Sequence, residues 1–104
     1  MAAIPTDVIE SVERFLAAAH HRVSIQAAYV YGSQAGGTAS EWSDIDLAVV
    51  SPDFSTSPFE ERLALMRLAA QIDDRIEPHP FTPETFCPED PLVGEIKRTG
   101  VRIR

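Results

Sequence analysis

The stretch Tyr31-Gly32-Ser33-Gln34-Ala35-Gly36-Gly37-Thr38-Ala39-Ser40-Glu41-Trp42-Ser43-Asp44-Ile45-Asp46-Leu47-Ala48-Val49 decides the reading of this 104-residue chain. Ile25 to Tyr31 is rich in β-branched and aromatic residues and stops at Gly32, which reads as a strand. A loop of small residues follows from Ser33 to Ser43. Asp44 to Val50 then reads as a second strand, ended by Ser51-Pro52-Asp53. Residues two apart on a strand project from one face, so Asp44 and Asp46 share a face with Cα atoms about 6.7 Å apart. At an effective dielectric of about 20 two such carboxylates repel by roughly 2–3 kcal/mol. No Lys or Arg between Gln34 and Asp53 offsets that repulsion. A bound divalent cation would, and Mg²⁺ prefers hard oxygen ligands.

An isolated Asp-x-Asp is commonly a pair of solvated acids at a strand end. The neighbours change its meaning. Ile45, Leu47 and Val49 mark the opposite face of the strand as packed, so the acids stand on a firm element. Upstream, glycine at 32 lets the backbone approach a phosphate closely. The amides after it and the Ser33 hydroxyl can donate to phosphate oxygens at the start of a short helix or nest.

Outward from this core, Thr6 is positioned to cap a first helix with Ile9, Val12, Phe15, Leu16 and Ala19 at helical spacing. His20, His21 and Arg22 fall at its end. Pro58 opens a long helix whose apolar stripe is expected from Phe59, Leu63, Met66 and Ala70, with Leu65, Leu68, Ala69 and Ile72 beside it. Arg75 to Phe81 reads as a third strand, which Pro78 and Pro80 push to an edge or end early. Thr82 to Pro91 is a proline-rich loop with one turn of helix. A last helix from about Leu92 to Thr99 stops at Gly100, and residues 101–104 form a terminal strand. The order α-β-β-α-β-α-β predicts an α+β fold (an α/β sandwich), with helices packed on a small mixed sheet of about four strands. The expected organisation is a single domain spanning residues 1–104, without repeats or linkers.

The net charge of −7 opposes general affinity for nucleic-acid backbones, yet a metal-bound nucleotide brings its own cation. Cys87 is the single cysteine, which excludes an internal disulfide and a cysteine-rich zinc site. No apolar run is long enough to span a membrane, and Met1-Ala2-Ala3-Ile4-Pro5 lacks the form of a leader, so a reducing, cytoplasmic setting is expected. Neither G-x-x-x-x-G-K-[ST] nor G-x-G-x-x-G occurs. Ser33 is outside any G-x-S-x-G elbow, and Cys87 has no positioned base.

Gly32-Ser33, ten residues from Gln34 to Ser43, then Asp44-Ile45-Asp46 resembles the signature of the minimal nucleotidyltransferases (MNT) of the DNA polymerase β-like superfamily. The likeness continues through Ser43-Asp44-Ile45-Asp46-Leu47 and, more loosely, over nearly the whole chain. It implies a nucleotidyltransferase fold and a third acid on a later strand, for which Glu77 is the candidate; Asp73 and Asp74 are rivals at a helix end. It also implies that Asp44 and Asp46 hold one or two Mg²⁺ ions and that Glu77 ligates the catalytic metal and helps deprotonate the attacking hydroxyl. Gly32 and Ser33 would grip the β- and γ-phosphates of ATP. Many members carry a basic residue just after Gly-Ser, where this chain has Gln34, Ala35, Gly36 and Gly37, and the third acid is Glu where Asp is common.

Small MNT proteins resemble the antitoxins of MNT–HEPN toxin–antitoxin pairs. The resemblance therefore implies transfer of AMP to a tyrosine of a HEPN-domain RNase. Two alternatives stand beside it: an antitoxin acting by contact alone, and an aminoglycoside-type small-molecule nucleotidyltransferase working as a dimer, one form of a homo-oligomer that exposed strand edges would allow. Trp42 could stack on the nucleobase, but packing its loop against the body is the expected role. His79 could act as a base, with a surface or packing position the plainer reading. Tyr29 and Tyr31 are expected in strand packing, and Lys97, Arg98, Arg102 and Arg104 in solvent.

Overall fold

The computed structural model describes residues 4–40, 42–54 and 57–104. Residues 1–3, part of the segment inspected for a leader, and Glu41 of the loop lie outside the described residues. Eight elements follow in order: α1 (Thr6–Ala19), β1 (Ala27–Tyr31), α2 (Ser33–Gly36), β2 (Ile45–Val50), α3 (Pro58–Ala70), β3 (Ile76–Phe81), α4 (Pro91–Thr99) and β4 (Val101–Arg102). The sequence order is kept, with α2 added as a single short turn in the loop after β1. This is the expected α+β fold. Among the described residues no helix is long and apolar enough to cross a membrane.

The sheet runs β3-β2-β1-β4, with β1 antiparallel to both neighbours and β2 parallel to β3. Ala28, Val30, Ile45, Leu47, Val49 and Ile76 face one side and join Val8, Val12, Phe15 and Leu16 of α1 and Leu65 and Ala69 of α3 in the main core. The other face carries a second cluster. There Val93 and Ile96 of α4 and Phe86 cover Ala27, Ala48 and Val50. Period-two alternation thus gives both faces of β2 a partner layer, which is why its last four residues are buried without a break.

Several local expectations are corrected. Thr6 is the first residue of α1 rather than its cap; Pro5 holds the cap position and no side-chain cap forms. The inner face of α3 is made by Leu65 and Ala69, with Leu68 and Ile72 beside them, while Phe59, Met66 and Ala70 point outward. Two apolar stripes run along this helix, and periodicity alone cannot choose which meets the sheet. The prolines of β3 keep it at the edge without shortening it. The carbonyls of Arg75 and Phe81 accept from Ile45 and Ser51, so odd-numbered residues bond β2, and the nitrogens of Pro78 and Pro80 fall on the free side. The last helix begins at Pro91, where the Asp90 carboxylate accepts from the Leu92 amide at 2.9 Å. The closing strand covers only Val101 and Arg102.

Candidate active site

The register places Tyr31 opposite Asp46 on one side and Glu77 opposite Asp46 on the other. The next row down is Tyr29, Ala48 and His79. All these side chains share the sheet face that α4 covers only in part, and Tyr31, Asp46, Glu77 and His79 stay half-buried at its uncovered end. Asp44 precedes β2 by one residue and is exposed. The site therefore stands across three adjacent strands and not on one acidic strand alone.

Carboxylate crowding is visible in the electrostatics. Burial, then the charges of Asp44 and Asp46, push the pKa of Glu77 above its ordinary value, and a hydrogen bond to Asp44 favours its protonated form further. Arg62 opposes the rise. Burial, helped by Asp46 and Glu77, pushes the Tyr31 phenol up to about 12, so it stays a neutral donor. His79 is held below its usual value by burial and by Arg62, against Asp46. Its Nε2 lies 3.9 Å from Oδ1 of Asp46, and its ring is tilted against Tyr31 with centroids 6.0 Å apart. Donor atoms of Asp46, Glu77 and His79 all lie within 4.8 Å of one another.

Gly32 follows β1 with φ 74° and ψ −146°, a region reserved for glycine, and caps α2. Its bare backbone lies against the Asp46 carboxylate: a Cβ there would meet Oδ2 at 2.5 Å. Ser33 opens α2, and its carbonyl accepts from Thr38 at 3.2 Å. Beside this turn a cavity of about 340 Å³ is lined by Tyr31, Gly32, Gly36, Glu95 and Thr99. A larger hollow of about 510 Å³ lies among Pro52, Phe54, Pro58, Pro80 and Phe81, and no candidate site residue lines it.

Two residues of the site were not singled out by sequence, and a third takes a place beyond the one expected. Arg62 of α3 carries its charge to Tyr31, Glu77 and His79, and its Nε is buried without a hydrogen-bond partner among the described residues. It supplies a cation where the loop after Gly32-Ser33 has none, and nothing in the local sequence pattern links it to that loop. Gln34 is only 2% exposed, and its Nε2 donates to the carbonyls of Ser43 and Asp44 at 3.4 and 3.5 Å. It ties the start of the loop to its end. His79, read as a candidate base and more plainly as a surface or packing residue, packs half-buried against Tyr31 and also joins the carboxylate row; its spacing of two from Glu77 is the signal that points to that row.

Trp42 is 82% exposed, so it does not pack its loop against the body. Asp73, a rival third acid, is engaged elsewhere: Arg75 donates to it at 2.8 Å and also reaches Asp7 of α1 at 3.3 Å. Tyr29 packs on Phe86 as expected. Lys97 lies over the Phe86 ring and Arg102 over Tyr29, each with an exposed head.

A mixed sheet with two acids at one strand start, a third on the parallel neighbour and a glycine turn against them defines a nucleotidyltransferase-type domain. The chain belongs to the polymerase β nucleotidyltransferase family, whose profile matches residues 13–82, well over half of it. A crystal structure from Sulfolobus solfataricus, described as a candidate nucleotidyltransferase, is similar in fold with a TM-score of 0.64 at 16% identity. The match covers 92% of this chain and 78% of that one. No curated protein matches the sequence.

Proposed function

We propose that the protein transfers AMP from Mg-bound ATP to a hydroxyl group, working in the cytoplasm, and that the acceptor is a tyrosine of a HEPN-domain RNase toxin. The observation that carries the nucleotidyl-transfer reading is the Asp46–Glu77 register, which sets two carboxylates side by side with Asp44 near enough to raise Glu77. The donor set fits a divalent cation: oxygens of Asp46 and Glu77 cluster with a nitrogen of His79, and the carboxylates crowd one another enough to raise Glu77 against the opposing charge of Arg62.

Asp44, Asp46 and Glu77 would hold the cation. When bound, such an ion neutralises the triphosphate and makes the α-phosphorus open to in-line attack. The remaining work belongs to the chain itself. The Gly32 turn lies directly against the Asp46 carboxylate, and the amide and hydroxyl of Ser33, next in the chain, would donate to the β- and γ-phosphates. Arg62 offers its guanidinium to the same negative charge, which answers the lack of basic residues in the loop. Glu77, beside Asp46 on the neighbouring strand, would take the proton of the attacking hydroxyl.

The HEPN partner rests on the resemblance to MNT antitoxins. The test is incubation with radiolabelled ATP and Mg²⁺, with and without a HEPN protein, beside an Asp44→Asn/Asp46→Asn double variant. Label on the HEPN protein from wild type alone supports the whole reading. No transfer, with the toxin still inhibited by both proteins, overturns catalysis and leaves an antitoxin that acts by contact.

A further inference from the structure

We propose that His79 is a nitrogen ligand of the cation site it forms with Asp46 and Glu77, and that this site therefore binds Mn²⁺ in preference to Mg²⁺. The inference deepens the nucleotidyl-transfer reading and rests on it.

The backbone brings the imidazole to the carboxylates. Glu77 and His79 are two apart on β3 and so emerge on one face, next to Asp46 and Ala48 respectively. Ala48 has only a methyl group, so nothing bulky on β2 stands between the imidazole and Asp46. The Tyr31 ring lies tilted against the imidazole from the β1 side and limits its rotation.

Distances suit a shared ion. Two donors bound about 2.1 Å from one cation lie roughly 3.0 Å apart when adjacent and 4.2 Å when opposed. His79 Nε2 and Asp46 Oδ1 are 3.9 Å apart, too far for a hydrogen bond and within that span. The three donors fall within 4.8 Å of one another, so small side-chain rotations bring all of them onto one ion.

Donor chemistry sets the preference. Mg²⁺ takes oxygen ligands and retains water, whereas imidazole suits first-row transition cations. A purely carboxylate site would leave Mg²⁺ and Mn²⁺ closer in affinity. Exchanging one oxygen for the nitrogen of His79 weights the site toward Mn²⁺.

The test uses the full chain, stripped of metal by a chelator and titrated with Mn²⁺ alone. Binding is followed by electron paramagnetic resonance, and nitrogen coordination by pulsed measurement of ¹⁴N coupling. The expected result is one bound Mn²⁺ with a single directly coordinated nitrogen, displaced by Mg²⁺ only at roughly 100-fold excess. His79→Gln should lose the nitrogen coupling and bind Mn²⁺ about tenfold more weakly, with circular dichroism reporting that it folds. Bound Mn²⁺ without nitrogen coupling in the wild type overturns the role of His79 and leaves nucleotidyl transfer standing. An absence of Mn²⁺ binding that persists with ATP added, with an unchanged result in Asp46→Asn, overturns both.

Discussion

A Cβ on Gly32 would stand 2.5 Å from Oδ2 of Asp46, so the turn after β1 and the carboxylate of β2 fill each other's space. The glycine turn and the carboxylate row are thereby fixed to each other by contact. Gly32→Ala should separate them. The φ of 74° adds a backbone cost of roughly 1–3 kcal/mol. We expect a melting temperature several degrees lower and nucleotide binding weakened at least about tenfold, read by calorimetry at a temperature where the variant is folded.

Asp46→Asn tests the crowding of acids. Glu77 has a raised folded-state pKa, so the native protein binds more protons than the unfolded chain and loses stability as pH rises through the carboxylate range. Removing one neighbouring charge should lower the Glu77 pKa and stabilise the metal-free protein above pH 6 by about 0.5–1 kcal/mol. The same change should abolish thermal stabilisation by Mn²⁺ or by Mg-ATP. Carbon-detected titration of Glu77 with paired melting curves would check both signs.

Asp73 should show the opposite pH dependence. Its hydrogen bonds to Arg75 hold its pKa down, from 3.8 to about 2, so its contribution is present above the unfolded value and fades as pH falls toward 2. Asp73→Asn should cost about 1–2 kcal/mol at pH 7, with the gap from wild type closing near pH 2. Urea unfolding at both pH values measures it. Transfer activity at pH 7 should be unchanged in this variant once folded, because Asp73 is bound to Arg75 and outside the carboxylate row.

Arg62→Ala removes the cation whose charge acts on Glu77, Tyr31 and His79. Its charge lowers the pKa of Glu77, so that pKa should rise further in the variant. We expect ATP binding weakened about tenfold or more, with part of the loss restored by Arg62→Lys, which keeps the charge without the fork geometry. Equal ATP affinity in wild type and Arg62→Ala would count against phosphate contact.

The sequence by itself determined the strand–turn–strand core, the glycine at 32 and the face of Asp46, while Asp44, expected on the same strand, stands just before it. These are local features: period-two alternation and the φ demand of one turn are written in consecutive residues. The tertiary structure decided what meets them. Parallel pairing of β2 with β3 aligned Glu77 with Asp46 and carried His79 into the same site, although thirty residues separate the two acids in the chain. The inward face of α3 depended on which of its two apolar stripes met the sheet, and with that choice came Arg62. Buried Gln34 likewise gained its meaning only when the loop closed on itself. Register and helix rotation are set by the packing of whole layers, a sum over many weak contacts that no short stretch of sequence contains.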